Sequence, residues 1–477
     1  MGWWVRDVTS TGFASGRPGS RGERLSALDV TNLRVEDHGL PMNVAALLLL
    51  EGRPLFDDRG EVRLRLVREL VESRLAAAPR LSQVLYWPHR GARRPVWVDA
   101  SRVDLVAHVR TVHVRTPGDE DALLAECARL HATVLPRSRP LWELWVLTGL
   151  ADGRVAMLVR LHHVVADGAA ALAPMGVLFD DLATKPRPRT EGEGLTSPRG
   201  AAGTRELVGD SRRTRTTGMT GGLGVLRLAD RVRRAGRVGR VLVGRALALL
   251  DLVRLGRAPR LSINRPACAR VRIVLVRGDL ERARAVAHAH GGTVNDVVLT
   301  AVAGGARALL QARGELSRAP VLHVSLAASI RRPDDPVTGN RVGIRVVPVP
   351  LADPDAVRRL GQVVRITRRV KRRPPLQPAG ALLQRWMVAG MARQRVVNLL
   401  VSNMPGPPYA LSFAGARVLE VFQIGVVQGN LALSVGVLSY AGQLNVEVAA
   451  DAGVVPDLPI FAAGVKGALE ELSCARL

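Results

Sequence analysis

The sequence predicts an α/β fold of the α+β kind, divided into two domains. At 477 residues the chain is longer than one ordinary hydrophobic core organises. Strand-like and helix-like patterns are mixed along it without a regular strand–helix alternation. A stretch rich in Pro, Arg, Thr and Gly, Lys185 to Gly224, separates two halves that each carry such patterns. The expected organisation is a disordered N-terminal extension (1–24), a first domain (25–184), a linker with basic amphipathic helices (185–260) and a second domain (261–477).

Residues 1–24 hold Trp3-Trp4 but no sustained apolar run, so they do not read as a signal peptide. Val44 to Leu50 is an apolar strand ended by Glu51-Gly52-Arg53-Pro54. Glu61 to Ala78 places Leu64, Val67, Leu70, Val71 and Leu75 at helical spacing. Val96 to Val98 and Val103 to Val114 read as short strands, and Glu120 to Val134 as a helix stopped by Pro136. Leu141 to Leu150 and Arg154 to His162 are two strands joined by a turn at Ala151-Asp152-Gly153, after which Gly168 opens a helix running to about Leu182.

In the linker, Arg227, Arg231 and Arg234 line one side of a helical pattern, with Leu228, Val232, Val238, Val241 and Leu242 mostly away from it. A membrane-surface anchor and a helix bridging the two domains both fit this pattern. In the second half, Val271 to Leu275 is a strand, Leu280 to His290 a helix, and Asn295 to Gln311 a long helix with Asp296 in its first turn, as the helix dipole prefers. Val321 to Leu326, Ile344 to Val349, Val397 to Ser402, Leu431 to Tyr440 and Gln443 to Ala449 are strands, the last two forming a hairpin through Ser439 to Gly442. A helix near Ile460 to Leu472 closes the chain.

Composition narrows the function classes. Hydrophobic residues make up 47% and charged residues 23%, the profile of a globular protein. The net charge of +26, carried almost wholly by Arg, favours anionic partners, or reflects Arg enrichment from a GC-rich genome spread over solvated faces. No nucleic-acid-binding motif is present and aromatics are only 3%, too few for base stacking, so no nucleic-acid partner is expected. Cys127, Cys268 and Cys474 lack paired spacing, which points to a reducing compartment without disulfides or a zinc knuckle. No run approaches the roughly 18 to 20 apolar residues that span a bilayer; Val241 to Val253 is broken by Arg245 and Asp251. The chain is therefore expected in the cytoplasm, neither secreted nor transmembrane.

The sharpest local feature is Leu161-His162-His163-Val164-Val165-Ala166-Asp167-Gly168. Adjacent histidines at a strand end point to opposite faces, so only one enters a given cleft. Gly168 permits a tight turn, and Asp167 sits where a carboxylate caps free backbone N–H groups. An imidazole with an ordinary pKa of about 6.5 suits removal of a hydroxyl proton at neutral pH. Against a thioester, whose thiolate leaves readily, no covalent enzyme nucleophile is needed and direct attack by an alcohol suffices. A structural histidine pair is the alternative. Metal ligation lacks an HExxH or a nearby His/Cys cluster, and the Gly218 to Gly224 cluster lacks a P-loop lysine, so neither a metal nor a bound nucleotide cofactor is expected.

These residues carry a resemblance. HHxxxDG is the signature of the coenzyme-A-dependent acyltransferase superfamily, which includes chloramphenicol acetyltransferase and the condensation domains of peptide synthetases. More narrowly, the chain resembles the bacterial wax ester synthase/diacylglycerol acyltransferase family. Four further segments support this: Leu25-Ser26-Ala27-Leu28-Asp29 with Pro41-Met42-Asn43-Val44, Pro140-Leu141-Trp142-Glu143, Thr293-Val294-Asn295-Asp296-Val297, and Val401-Ser402-Asn403-Met404-Pro405-Gly406-Pro407, the last matching a family turn. The motifs occur in family order between about Leu25 and Leu472. Ala327 to Arg332 and the N-terminal extension depart from the pattern.

The resemblance implies two chloramphenicol-acetyltransferase-like domains with a tunnel at their interface. It implies transfer of a fatty acyl group from acyl-CoA, a co-substrate, to a lipid alcohol. His163 would be the general base, His162 a supporting residue, and Asp167 structural. Pro140, Leu141 and Trp142 would support the substrate pocket, with Trp142 equally readable as core packing. Asn295 and Asp296 would shape the site from the second domain. Ser402 and Asn403 are candidate oxyanion donors, or simply a turn. Water-insoluble substrates imply a position at the inner membrane or at lipid inclusions.

Overall fold

The computed structural model describes residues 23–37, 41–87, 94–165, 176–181, 254–268, 270–329, 342–373, 375–376 and 390–475. The first half runs α1 (Ala27–Asp37), β1 (Asn43–Leu50), α2 (Leu64–Leu75), β2 (Gln83–Tyr86), β3 (Val96–Asp99), α3 (Leu105–His108), β4 (Val109–His113), α4 (Glu120–His131), β5 (Trp142–Thr148), β6 (Val155–His162) and β7 (Asp180–Asp181). The second runs β8 (Val271–Asp279), α5 (Leu280–Ala289), α6 (Val294–Ala312), β9 (Val321–Ser329), β10 (Val342–Pro350), α7 (Ala356–Lys371), β11 (Leu399–Pro405), β12 (Leu411–Phe413), β13 (Ala416–Ile424), β14 (Leu433–Tyr440), β15 (Gln443–Asp451) and α8 (Leu458–Cys474).

A seven-stranded sheet has the order β4-β5-β6-β1-β13-β12-β7, and a six-stranded sheet the order β10-β9-β11-β14-β15-β8. The mixed two-sheet architecture is the one the sequence predicts. β12 and β13 come from the C-terminal half yet complete the first sheet. β13 pairs antiparallel with β1, placing Ala45 opposite Ile424 and Leu49 opposite Glu420. β6 flanks β1 on the other side, with Asn43 opposite His162. Both edges of β1 are thus paired and both faces covered, which is why it reads as a continuous apolar run.

Three cores follow. One lies between the first sheet, α2 and the β2–β3 hairpin, and a second between the second sheet and α5 to α8. The third joins the halves: Leu47 and Leu49 of β1, Leu123 and Leu124 of α4 and Phe422 of β13 pack against Ile273, Leu275 and Ala449 of the second sheet. Each such large side chain contributes about 1.5–3 kcal/mol by leaving water. At the rim Arg277 of β8 meets Glu120 of α4 at 2.5 Å and Glu420 of β13 at 2.7 Å. No single described helix is long and apolar enough to cross a membrane; α5 and α6 reach that length only together, across a 101° bend, with their apolar faces in the second core.

Local chemistry corrects several expectations. Val103 to Val114 is not one strand: the Asp104 carboxylate accepts the N–H groups of Val106 (2.9 Å) and Ala107 (3.3 Å) and starts α3 before β4 begins. The helix expected to reach Leu182 does not: Asp180–Asp181 form strand β7, paired with β12. Residues 166–175, and the linker up to residue 253 where basic helices are expected, lie outside the described residues. The run expected as a turn near Ser402 is strand as far as Pro405, and the chain turns at Gly406, whose N–H bonds Ser439 O at 3.0 Å. α1, β2, α7, β12 and β13 are elements the sequence reading does not name.

Candidate active site

The end of β6 is clamped from both sides. His162 N–H donates to Leu141 O at 3.0 Å, and His163 N–H donates to Met42 O at 2.7 Å. The Pro140-Leu141-Trp142 segment and the residue before β1 therefore fix the backbone of the histidine pair. His162 is fully buried and His163 half-buried.

His162 Nδ1 accepts the N–H of Val164 at 3.1 Å, so the proton of the neutral ring lies on Nε2. Nε2 is 3.2 Å from Glu36 Oε2, a close pairing without the alignment of a full hydrogen bond. Glu36 Oε1 lies 2.9 Å from Arg137, which also meets Asp37 at 2.9 Å and Leu33 O at 3.1 Å. Burial opposes ionisation of Glu36, but the neighbouring His162 ring and the Arg137 guanidinium outweigh it and hold the carboxyl below its ordinary range. On the adjacent residue, His163 Nδ1 lies 3.4 Å from the Asn32 amide Nδ2.

Asn32 and Glu36 are four residues apart, on one face of α1. The start of that helix is set by a reciprocal cap: Ser26 N–H to Asp29 Oδ2 at 3.0 Å, and Asp29 N–H to Ser26 Oγ at 3.1 Å. Burial raises the Asp29 carboxyl above its ordinary value despite those bonds. Ser-x-x-Asp followed by Asn and Glu at helical spacing was the available sequence signal for these supports.

Trp142 belongs to the first core. Its indole N–H donates to Leu81 O at 2.7 Å and its ring stacks on His108 at 4.5 Å. Pro140 and Leu141 are buried beside it. The following residue, Glu143, is a buried hub, 2.6 Å from both Arg139 and Arg160 and 3.0 Å from Arg110. Burial opposes its ionisation, yet these cations and the Trp145 indole hold its carboxyl below the usual range. Arg160 also donates to Leu130 O and, at 2.9 Å, to Thr133 O, tying the end of α4 to β6 two residues before His162.

In the second half, Asp296 is buried and closes a capping box at the start of α6. Its Oδ2 accepts from Thr293 N–H at 2.7 Å and from Thr293 Oγ1 at 2.8 Å, and Lys371 Nζ stands 3.6 Å away. Asn295 Oδ1 accepts from Asn403 Nδ2 at 3.5 Å, so two motifs a hundred residues apart in sequence meet. Ser402 O accepts from Gln423 Nε2 at 2.6 Å, and Gln423 also donates to Val437 O at 3.0 Å, which links β11 and β14 to β13 of the first sheet. Asp167 and Gly168 lie outside the described residues.

A further buried group escaped the sequence reading. Ser402, Gly436 and Glu447 stand in register across β11, β14 and β15. Burial pushes the Glu447 carboxyl up to about 8, and among the described residues no hydrogen bond of normal geometry reaches either oxygen, although the amides of Gly425 and Gly436 face it. A Cβ on Gly436 would sit 2.8 Å from Glu447 Oε2 and 2.8 Å from Gln423 Cγ, so only glycine leaves room for both side chains. Among the described residues no group of three or more His, Cys, Asp or Glu side chains is arranged to hold a metal ion.

Comparison with known proteins gives this geometry its context. The wax ester synthase/diacylglycerol acyltransferase catalytic-domain model matches residues 25–298, and the WS/DGAT C-terminal-domain model residues 338–473. A probable diacylglycerol O-acyltransferase of Mycobacterium tuberculosis is 29% identical over 468 residues, covering 94% of this chain and 95% of the relative. The wax ester synthase/diacylglycerol acyltransferase of Marinobacter aquaeolei VT8 shares the fold, with a TM-score of 0.65 at 22% identity over 94% of this chain and 98% of that one. The first condensation domain of the calcium-dependent antibiotic synthetase also shares it, with a TM-score of 0.61 at 16% identity over 97% of both chains. The chain belongs to the wax ester synthase/diacylglycerol acyltransferase family.

Proposed function

We propose that this enzyme moves a long-chain fatty acyl group from acyl-CoA to the hydroxyl of a diacylglycerol, forming triacylglycerol, or to that of a long-chain alcohol, forming a wax ester. The observation that carries the reading is the histidine pair at the end of β6, with its backbone clamped by Leu141 and Met42 and one ring set against Glu36. His162, fully buried, with Nδ1 bonded to the Val164 N–H and Nε2 beside Glu36, serves as support. His163, half-buried, is the general base.

The reaction needs one base and no covalent enzyme intermediate. His163 Nε2 takes the alcohol proton as the alcohol oxygen bonds to the thioester carbonyl carbon. The tetrahedral adduct collapses with cleavage of the C–S bond, and the CoA thiolate leaves with the proton returned by the imidazolium. Such a base is worth about 10² to 10⁴ in rate. Asn295 and Asn403, which meet where α6 faces β11, supply polar groups from the second sheet, while Ser402, the preceding strand residue, is held through its carbonyl by Gln423. Asp167 has the structural part the family pattern gives it, so Asp167→Ala should lower the melting temperature more than His163→Ala does.

Water-insoluble acceptors, together with a net charge of +26, support a position at an anionic membrane or lipid-inclusion surface in the cytoplasm. Co-sedimentation with anionic but not zwitterionic vesicles, weakening with salt, is the expected behaviour. The deciding assay is thiol release from palmitoyl-CoA with dioleoylglycerol and hexadecanol offered separately. Release that depends on the alcohol and falls at least ~100-fold in His163→Ala, with an unchanged melting temperature, is the expected result. Turnover retained by His163→Ala would remove the base from the reading, and release with neither alcohol would remove both acceptors.

A further inference from the structure

α1 presents two polar side chains to two successive histidines, and one of them has a chemical task that packing does not require. Asn32 is only 8% exposed and stands 3.4 Å from His163 Nδ1. Asparagine is a poor residue for a helix interior, and a buried amide is costly unless bonded. The helix that carries it is fixed at both ends, by the Ser26–Asp29 cap and by Glu36 with its partner Arg137. Glu36, on the same helical face, stands beside His162. The amide of Asn32 is therefore delivered to the His163 ring by a braced element.

We propose that Asn32 is a positioning residue for His163, accepting its Nδ1–H and so holding the tautomer whose lone pair is on Nε2. The inference rests on the reading of His163 as the general base. A neutral imidazole carries one ring proton, and Nε2 receives the alcohol proton only when that ring proton is on Nδ1. The amide nitrogen and oxygen of asparagine have nearly the same shape, and a half-turn of the amide puts Oδ1 where Nδ2 stands. An acceptor at Nδ1 also favours the imidazolium that forms as the alcohol is deprotonated, as the carboxylate does in a Ser-His-Asp triad.

Two variants of the full-length protein test this, Asn32→Leu, which removes the acceptor, and Asn32→Asp, which keeps the shape and adds charge. Tautomer and titration of the His163 imidazole are read by nitrogen-15 NMR, which needs no turnover; kcat, KM and the pH profile of thiol release are read alongside. Asn32→Leu should fold, lose about 10- to 100-fold in kcat with KM for palmitoyl-CoA within about twofold, and shift the His163 ring toward the Nε2-protonated form. Asn32→Asp should move the acid limb of kcat/KM upward by at least about one pH unit, because a carboxylate beside Nδ1–H favours the imidazolium. Should Asn32→Leu fail to fold, the nearly isosteric Asn32→Asp carries the test alone.

Unchanged imidazole shifts and an unmoved pH profile in both variants would overturn the proposal, whatever happened to kcat, since a packing defect lowers activity without moving either. A tautomer shift in Asn32→Leu in a protein whose wild type transfers no acyl group would uphold the contact and reject the function assigned to it.

Discussion

Two buried carboxyls of this enzyme sit on opposite sides of their ordinary range, and their environments explain why. Glu36 has cationic and hydrogen-bonding partners, so its native carboxyl ionises more readily than in the unfolded chain. That contribution to stability is complete above the unfolded value of about 4.5 and is lost as pH falls through the lower native value. Glu36→Gln should therefore cost about 1–3 kcal/mol near pH 7, with the gap to wild type closing below about pH 4 in urea melts. It should also reduce turnover, since His162 loses its anionic neighbour. Among the described residues no cation and no well-formed hydrogen bond reaches Glu447, and its carboxyl stays protonated up to about 8. Between pH 5 and 8 the unfolded chain releases that proton while the native chain keeps it, so stability falls as pH rises. Glu447→Gln removes this slope: its melting temperature should gain on wild type by at least about 2 °C between pH 5 and pH 8. A constant difference across that interval would show that Glu447 is ionised in the native protein.

At the scale of elements, legibility followed the contrast between apolar and polar faces. α6 is 19 residues long with a broad apolar face, and its extent is readable from spacing alone. α1 is as important to the site but hard to see, because Asp29, Asn32 and Glu36, polar and buried, share its inner face with Leu33 and Val35. A helix that turns hydrogen-bonding groups inward toward a histidine pair has little amphipathic signal. Its visible mark is the cap. Ser26→Ala should cost about 1 kcal/mol, or roughly 2–4 °C, and because α1 carries the supports of both histidines it should lower kcat as well. An equivalent lesion at Thr293, which caps α6, should lower stability by a similar amount; if only the Ser26 variant loses turnover beyond its loss of folded protein, the special role of α1 is supported. Asp104 illustrates the opposite failure: one side-chain cap turned a β-branched stretch into the short helix α3.

For the whole molecule, the join between the halves is chiefly apolar. Arg277 makes short contacts with Glu120 and Glu420, but it is 38% exposed and each pair is screened by solvent. Arg277→Met should cost no more than about 1 kcal/mol, and less in high salt. Phe422 is fully buried in the core shared by both sheets, and Phe422→Ala should cost about 3–5 kcal/mol. Thermal melts of the two variants at low and high salt would order the contributions; a larger loss from the arginine would mean that charge, not burial, holds the halves together. Because β12 and β13 pass back into the first sheet, the two halves are expected to unfold together rather than as independent domains.

Most of the strand and helix patterns, the mixed α/β class and the ordered set of motifs were determined by the sequence alone, because periodicity and motif spacing are properties of the chain itself. Tertiary structure decided which neighbours those residues meet. Trp142 became core because Leu81 and His108 close over it. Asp296 became a helix cap because Thr293 turns back onto it. Ser402 and Asn403 became strand because β14 lies alongside. The crossing of β13 to β1, and the approach of α1 to the histidines, depend on pairings hundreds or dozens of residues apart, and local pattern carries no record of such partners.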